Sequence, residues 1–315
     1  MRKIRNRQYL KIMSKSWFTT SSIICFLLMF SCKTEPKSSI ANLTSEIENK
    51  ISEIEGNIAL AFLDLSNDKK SIMINVNESF HAASTMKVPV MIELYKQQHQ
   101  ELINLNESIL LTNEFKSIVD GSLYSMDIGD DSDDFIYNKI GTNQTLYDLM
   151  VPMITVSSNL ATNVLIEIVN AKKTTESMRE LGANKIQVLR GVEDQKAFDL
   201  GLSNSTTAKD LLIIMKAIAD GTAGKKEDCV AMLSILKDQE WNDMIPKYLP
   251  KDTEVAHKTG SITGVHHDAA IVYLPDGTSY ILVLMSKNLK DFDKGTDKLA
   301  KISKSIYDYM IANNE

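Results

Sequence analysis

Ser84-Thr85-Met86-Lys87 sets a hydroxyl and an amine three residues apart at the head of an apolar run. If Ser84 opens a helix there, Lys87 lies one turn on, on the same face, with its amine in reach of the hydroxyl. A helix N-terminus favours developing negative charge, which suits the serine to nucleophilic work with the lysine as its base. The spacing alone carries little, because Ser66 with Lys69 and Ser234 with Lys237 repeat it. One of those pairs falls in a turn and the other on a surface-helix pattern, so both read as coincidence. Two further clusters single out Ser84. Ser157-Ser158-Asn159 begins a helical pattern, and Lys258-Thr259-Gly260 ends a β-like stretch. The three clusters follow in this order, and the coarse structure lets them converge on one cleft.

Other chemistry-bearing residues read more plainly. His266-His267-Asp268 matches no metal-binding pattern, and neighbours on a strand point to opposite faces, so these read as hydrogen-bonded sheet histidines and no metal is expected. The acidic run from 127 to 134 lacks the residue order of a calcium loop and reads as a solvated loop. Ser157 and Asn159 have a second reading as helix caps, and Thr259-Gly260 as an ordinary strand end. No cofactor is implied.

These clusters have to be held together by the elements around them. Ile40, Leu43, Ile47, Ile51 and Ile54 recur at helical steps, and Gly56 stops that helix. Residues 57–65 and 70–76 read as strands joined by the polar turn 66–69. Helical spacing then dominates: 88–98, 160–170, 174–181, 208–220 and 226–236. Strands return at 254–258, 269–274 and 280–286, with Pro275-Asp276-Gly277 as a turn, before a last helix over 293–312. Strands at both ends of a helical middle predict an α/β (α+β) protein. It has an antiparallel sheet flanked by the N- and C-terminal helices, plus an all-helical lobe. The expected division is 40–80 with 225–315 as a discontinuous α/β lobe and 81–224 as the helical lobe, with the ligand site in the cleft between them.

The 315 residues carry a net charge of −6. That balance excludes a sequence-independent grip on nucleic acid, which needs a basic face. The average conceals a different start. Residues 1–31 hold Arg2, Lys3, Arg5, Arg7, Lys11 and Lys15 and no acid, followed by an apolar run over 23–30 and then Ser31-Cys32. This anatomy is that of an export signal, too short in its apolar core to span a bilayer well. It resembles a bacterial lipoprotein signal in which Cys32 becomes the lipidated N-terminus, with 32–39 as a tether. Met29 and Phe30 are bulkier than such signals usually carry. The expectation is an exported, membrane-anchored lipoprotein facing the periplasm. Without the signal the body stands at −12. Cys229 is then left as a free thiol in an apolar stretch, a buried structural cysteine.

With its motifs in that order, the sequence resembles the class A β-lactamase and penicillin-binding-protein superfamily over about residues 40–315. In Arg190-Gly191-Val192-Glu193-Asp194 and His257-Lys258-Thr259-Gly260 it is most similar to the β-lactamase-related serine hydrolases of bacterial lipoproteins. The resemblance implies that Ser84 attacks a β-lactam or peptide carbonyl and that Lys87 takes its proton. Ser157 relays a proton to the leaving nitrogen. Asn159 bonds the substrate amide, while Lys258, Thr259 and Ser261 hold its carboxylate. Gly260 closes the third motif, and the Ser84 and Ser261 amides form the oxyanion hole. Two departures qualify it. Ser158 replaces the aspartate of the second motif, and no Leu-Asn follows Glu193, so either Glu193 or Asp194 activates water or both only pair with Arg190. Three activities therefore stand: a β-lactamase, a D,D-peptidase or other amide or ester hydrolase, and a penicillin-binding sensor that acylates and stops.

Overall fold

The computed structural model describes residues 39–68 and 70–314; Cys32, the stretch expected to be an export signal and Lys69 lie outside the described residues. Helix α1 (Ile40–Ser52) begins where Ser39 accepts the Asn42 amide, and it buries Leu43 and Ile47. Strands β1 (Asn57–Asp64) and β2 (Ser71–Ile74) follow. At the far end of the chain come β9 (Val255–Ile262), β10 (Val265–Tyr273), β11 (Ser279–Lys287) and α10 (Phe292–Asn314). The strands form one antiparallel sheet in the order β2-β1-β11-β10-β9. Joining the two chain ends in one sheet is what the strand-helix-strand pattern requires.

Both faces of this sheet are covered, so its strands read as nearly continuous apolar runs. Ile58, Leu60 and Phe62 of β1, with Tyr280, Leu282 and Leu284 of β11, pack under α1 and α10 against Leu299, Ile302 and Ile306. The alternate residues Ala59, Ala61, Ile281 and Val283 join the core of the helical side. Small side chains on that face let α8 (Ala208–Ala219) lie directly on β1, β10 and β11.

The helical side is built around α2 (Lys87–His99), whose buried residues run nearly all round it, as expected of a central helix. Pro89 sits in its first turn, where a missing N–H removes no intrahelical bond. Around it stand α4 (Leu146–Thr155), α5 (Asn159–Val169), α6 (Ala171–Glu180) and α9 (Lys226–Lys237). Short pieces complete this side: α3 (Asp134–Tyr137), α7 (Gln195–Asp199), β3 (Phe80–His81) paired with β8 (Ser205–Thr206), β4 (Ser108–Leu110) with β7 (Asn143–Thr145), and β5 (Phe115–Lys116) with β6 (Leu123–Tyr124).

Candidate active site

Three elements converge: the head of α2, the N-terminus of α5, and β9 at the edge of the sheet. Ser84 does not open α2 itself, which begins three residues on at Lys87. A 3-10 turn, Ala83–Met86, precedes α2 and presents it. Ala83 adopts φ 44°, in the left-handed region that a side chain makes costly. The turn is pinned from both sides. The Ala83 amide donates to His81 Nδ1 at 3.0 Å, and the Thr85 hydroxyl donates to the Ala82 carbonyl at 2.6 Å. Gly260 of β9 lies against this turn so closely that a Cβ would sit 2.9 Å from the Ser84 nitrogen. The glycine of the third motif is there for close approach. The Ser84 hydroxyl is half-exposed and has no hydrogen-bond partner among the described residues, leaving it open to a ligand.

Lys87 and Lys258 are both fully buried, and they reach the same oxygen from opposite elements. Lys87 Nζ donates to Ser157 Oγ at 3.2 Å, to the Ser157 carbonyl at 2.7 Å and to Asn159 Oδ1 at 2.9 Å. Lys258 Nζ donates to Ser157 Oγ at 3.0 Å and to the Thr259 carbonyl at 3.0 Å. Burial lowers the Lys87 amine to about 7, with Asp131 and Glu193 opposing the shift. Burial and the Lys87 charge push Lys258 well below the ordinary lysine range, against the pull of Asp268. Two amines so close cannot comfortably both be ammonium. The pair is therefore poised to hold less than its full charge near neutrality, with a free amine available as a base. Thr259 is buried and Ser261 exposed on the same strand.

The helix cap of α5 is neither Ser157 nor Asn159. Buried Ser158 takes that work, its Oγ accepting the Ala161 amide at 3.3 Å, which releases its neighbours to face the lysines. Ser157 itself adopts φ 65°. The acidic run is not merely a solvated loop. Asp131 accepts the amides of Asn159 and Leu160, each at 2.8 Å, and so braces the second motif. No motif announces this residue. The one sequence signal is Ser158 itself, since losing the motif's aspartate leaves nearby amides in need of an acceptor.

The loop between α6 and α7 bears on the Glu193 and Asp194 alternatives. Asp194 is buried and fully engaged, accepting from the Ser117 hydroxyl and the amides of Ile118 and Ala197. Among the described residues Arg190 makes no ion pair that would hold the loop. Its guanidinium donates to the Leu202 and Gly191 carbonyls, both at 2.9 Å. Glu193 is left exposed, at φ 59°. Partial desolvation by the surrounding loop pushes its carboxyl upward although much of the side chain reaches solvent, as do Asp130 and Asp131, while Arg190 and Lys87 pull it down. Glu193 thus senses the same groups as Lys87, whereas Asp194 is structural.

His266 and His267 part to opposite faces as their strand positions require. His266 Nδ1 meets the Thr296 hydroxyl at 2.9 Å and its ring stacks on Phe292, while His267 Nε2 meets the His81 carbonyl at 2.8 Å. Among the described residues no group of His, Cys, Asp and Glu is arranged to hold a metal ion. Cys229 is buried in α9, and burial raises its thiol. Beneath β9, His257 Nδ1 and the Ile245 amide both engage the buried Asp268 carboxylate, at 2.9 and 3.0 Å.

The chain is 24% identical to a β-lactamase of Bacillus licheniformis over 90% of its own length and 94% of that protein. Among solved structures, PBP-A superposes with a TM-score of 0.73 at 24% identity, covering 87% of this chain and 98% of that one. A β-lactamase from Chitinophaga pinensis superposes with a TM-score of 0.72 at 22% identity, covering 85% and 98%. At these identities the structures establish a shared fold. The model of the β-lactamase enzyme family matches residues 42–310. That span takes in the sheet, the helical side and all three motifs, and the chain belongs to the β-lactamase enzyme family.

Proposed function

We propose that the protein is a serine hydrolase that opens β-lactam rings through an acyl-enzyme on Ser84. The observation that carries this reading is the convergence of two buried lysine amines, one from the helix that follows Ser84 and one from β9, on Ser157 Oγ. Ser84 Oγ attacks the lactam carbonyl and its proton passes to the Lys87 amine, which burial keeps partly neutral near pH 7. The Ser84 amide, held against β9 by Gly260, lies where an oxyanion-hole donor is needed. When the C–N bond breaks, Ser157 delivers its hydroxyl proton to the lactam nitrogen and is reprotonated from Lys87. A substrate carboxylate near Lys258, Thr259 and Ser261 favours the ammonium at Lys258. Like-charge repulsion then favours the free amine at Lys87, so binding prepares the base.

Water must finally attack the acyl-enzyme, and Glu193 is the carboxylate left to activate it. Its raised pKa makes it a stronger base than an ordinary glutamate. A slower second reading, acylation with little turnover, is favoured by the loop composition. Gln195, the nearest amide after Glu193, is bonded to Asp199 at 2.6 Å. A chromogenic cephalosporin followed by absorbance and intact mass separates the two. Sustained turnover supports the hydrolase, and a persistent adduct supports the sensor. Glu193→Gln is expected to leave acylation within a few-fold and to slow turnover about 100-fold, with the adduct accumulating. Unchanged turnover in that variant removes Glu193 as the base.

We also propose export and lipidation at Cys32, on the strength of the basic, apolar and Ser-Cys sequence of residues 1–32. The anchor would hold the protein at a periplasm-facing membrane. Cys32→Ala is expected to move the protein from the membrane to the soluble fraction; continued membrane partitioning would overturn the lipid anchor.

A further inference from the structure

The four N-terminal amides of α5 are all accounted for, and by an unusual division of labour. Thr162 donates to the Ser158 carbonyl at 3.3 Å and Ala161 to the Ser158 hydroxyl at 3.3 Å. Asn159 and Leu160 donate at 2.8 Å to the two oxygens of Asp131, which lies in a separate segment. That carboxylate is itself held, since Tyr137 Oη donates to Asp131 Oδ2 at 3.0 Å. Its neighbours grip the same motif. The Asp130 carbonyl accepts Asn159 Nδ2 at 3.2 Å, which turns Asn159 Oδ1 toward Lys87. Ser132 Oγ donates to the Ser157 carbonyl at 2.9 Å, the oxygen that also accepts from Lys87.

We propose that Asp131 is a positioning residue for the reaction: it supplies, from outside the second motif, the carboxylate that Ser158 lacks, and so locks Ser157 and Asn159 onto the Lys87 amine. The proposal extends the acyl-enzyme reading above and rests on it for its kinetic test. Its physical basis is threefold. An anion at a helix N-terminus is favoured by the dipole and by the unpaired amides. Bidentate capture fixes the direction of the first turn, and with it the rotamers of the two side chains that face the lysine. Ser157 at φ 65° is a conformation that persists only where its surroundings over-determine it. Three consecutive residues, Asp130 to Ser132, do that.

The carboxylate also acts through its charge. The charged groups facing the Lys87 amine are Asp131 and Glu193, which favour the ammonium, and Lys258, which disfavours it. Removing the Asp131 charge therefore moves the Lys87 midpoint further down, while a cap whose charge did not reach the lysine would leave it unmoved.

Asp131→Asn keeps the shape and deletes the charge. Its acylation by a fluorescent penicillin at pH 8 is expected to slow about 10-fold or more, because the bidentate grip is lost. The acid limb of its rate profile is expected to move down by roughly half a pH unit. Carbon-13 NMR titration of the lysine Cε in the same variant should show the Lys87 midpoint falling by the same amount. Tyr137→Phe loosens the carboxylate without removing it, and is expected to slow acylation about 3-fold with the acid limb in place. An unmoved Lys87 midpoint in Asp131→Asn, or wild-type rates in both variants, overturns the proposal. The NMR titration needs no substrate. A wild-type protein inert to penicillins would therefore refute the β-lactam reading, while the titration still decided this one.

Discussion

Replacing Ser84 with alanine is expected to abolish covalent labelling by a β-lactam altogether. Replacing Ser157 is expected to slow labelling about 100- to 1,000-fold, with the adduct still on Ser84. The two serines compete for the part of nucleophile in this structure, because the lysine amines bond Ser157 Oγ and leave the Ser84 hydroxyl unpaired. Three observations support the proposed assignment to Ser84. It is half-exposed in a 3-10 turn that leads into α2, where the helix N-terminus stabilises developing negative charge. Its own amide lies against Gly260 of β9, so close that a Cβ there would sit 2.9 Å from the nitrogen, which brings the Ser84 backbone up to the third motif. Ser157 by contrast lies between two amines, positioned to pass a proton on. A proton relay is worth about 10²–10⁴ in rate, whereas a nucleophile cannot be dispensed with. Peptide mapping of the adduct reads the outcome directly, and an adduct on Ser157 in the wild type would reverse both assignments.

The motifs that point to this chemistry are legible in the sequence because local geometry sets their spacing. Ser84 and Lys87 are one turn apart, and Gly260 is a glycine because a backbone passes beside it. The sheet was legible for a different reason. β1 and β11 are apolar on both faces, and the polar turns around them bound their length. What stayed hidden depends on contacts between distant segments. Asp131 sits in an acid-rich run without periodicity, and only the fold brings it over the amides of α5. Arg190 beside two acids suggested an ion pair, yet its guanidinium is satisfied by carbonyl oxygens and Asp194 by other donors. The left-handed turn at Ala83 carries no signal either, since alanine is not the residue type that marks that conformation.

Lys87→Met is expected to slow acylation about 10³–10⁴-fold and to make the protein more stable at neutral pH. The rate loss follows from removing the base beside Ser84. The stability gain follows from linkage. The unfolded chain binds the Lys87 proton up to about pH 10.5, but the folded protein only up to about 7. Between those values the unfolded state holds more protons, so this group's contribution to stability rises with pH. Its penalty is full below about pH 7 and absent above 10.5. At pH 7 it amounts to about 4 kcal/mol, from the difference between the two proton affinities. Methionine fills a similar volume without a charge, and Lys258, relieved of its neighbour, moves back toward its ordinary range. Against the gain stand the lost hydrogen bonds to Ser157 and Asn159, worth about 1–3 kcal/mol. The balance at pH 7 is a gain of about 1–3 kcal/mol, and at pH 10.5, where only the lost bonds remain, it turns into a loss. Urea unfolding of both proteins across that range should therefore give stability curves that cross. Parallel curves would mean that Lys87 is held as an ordinary charged lysine and does not serve as the base. On the proposed mechanism the site keeps a buried amine that weakens the fold, because only an amine so destabilised is free to take a proton from Ser84 at neutral pH.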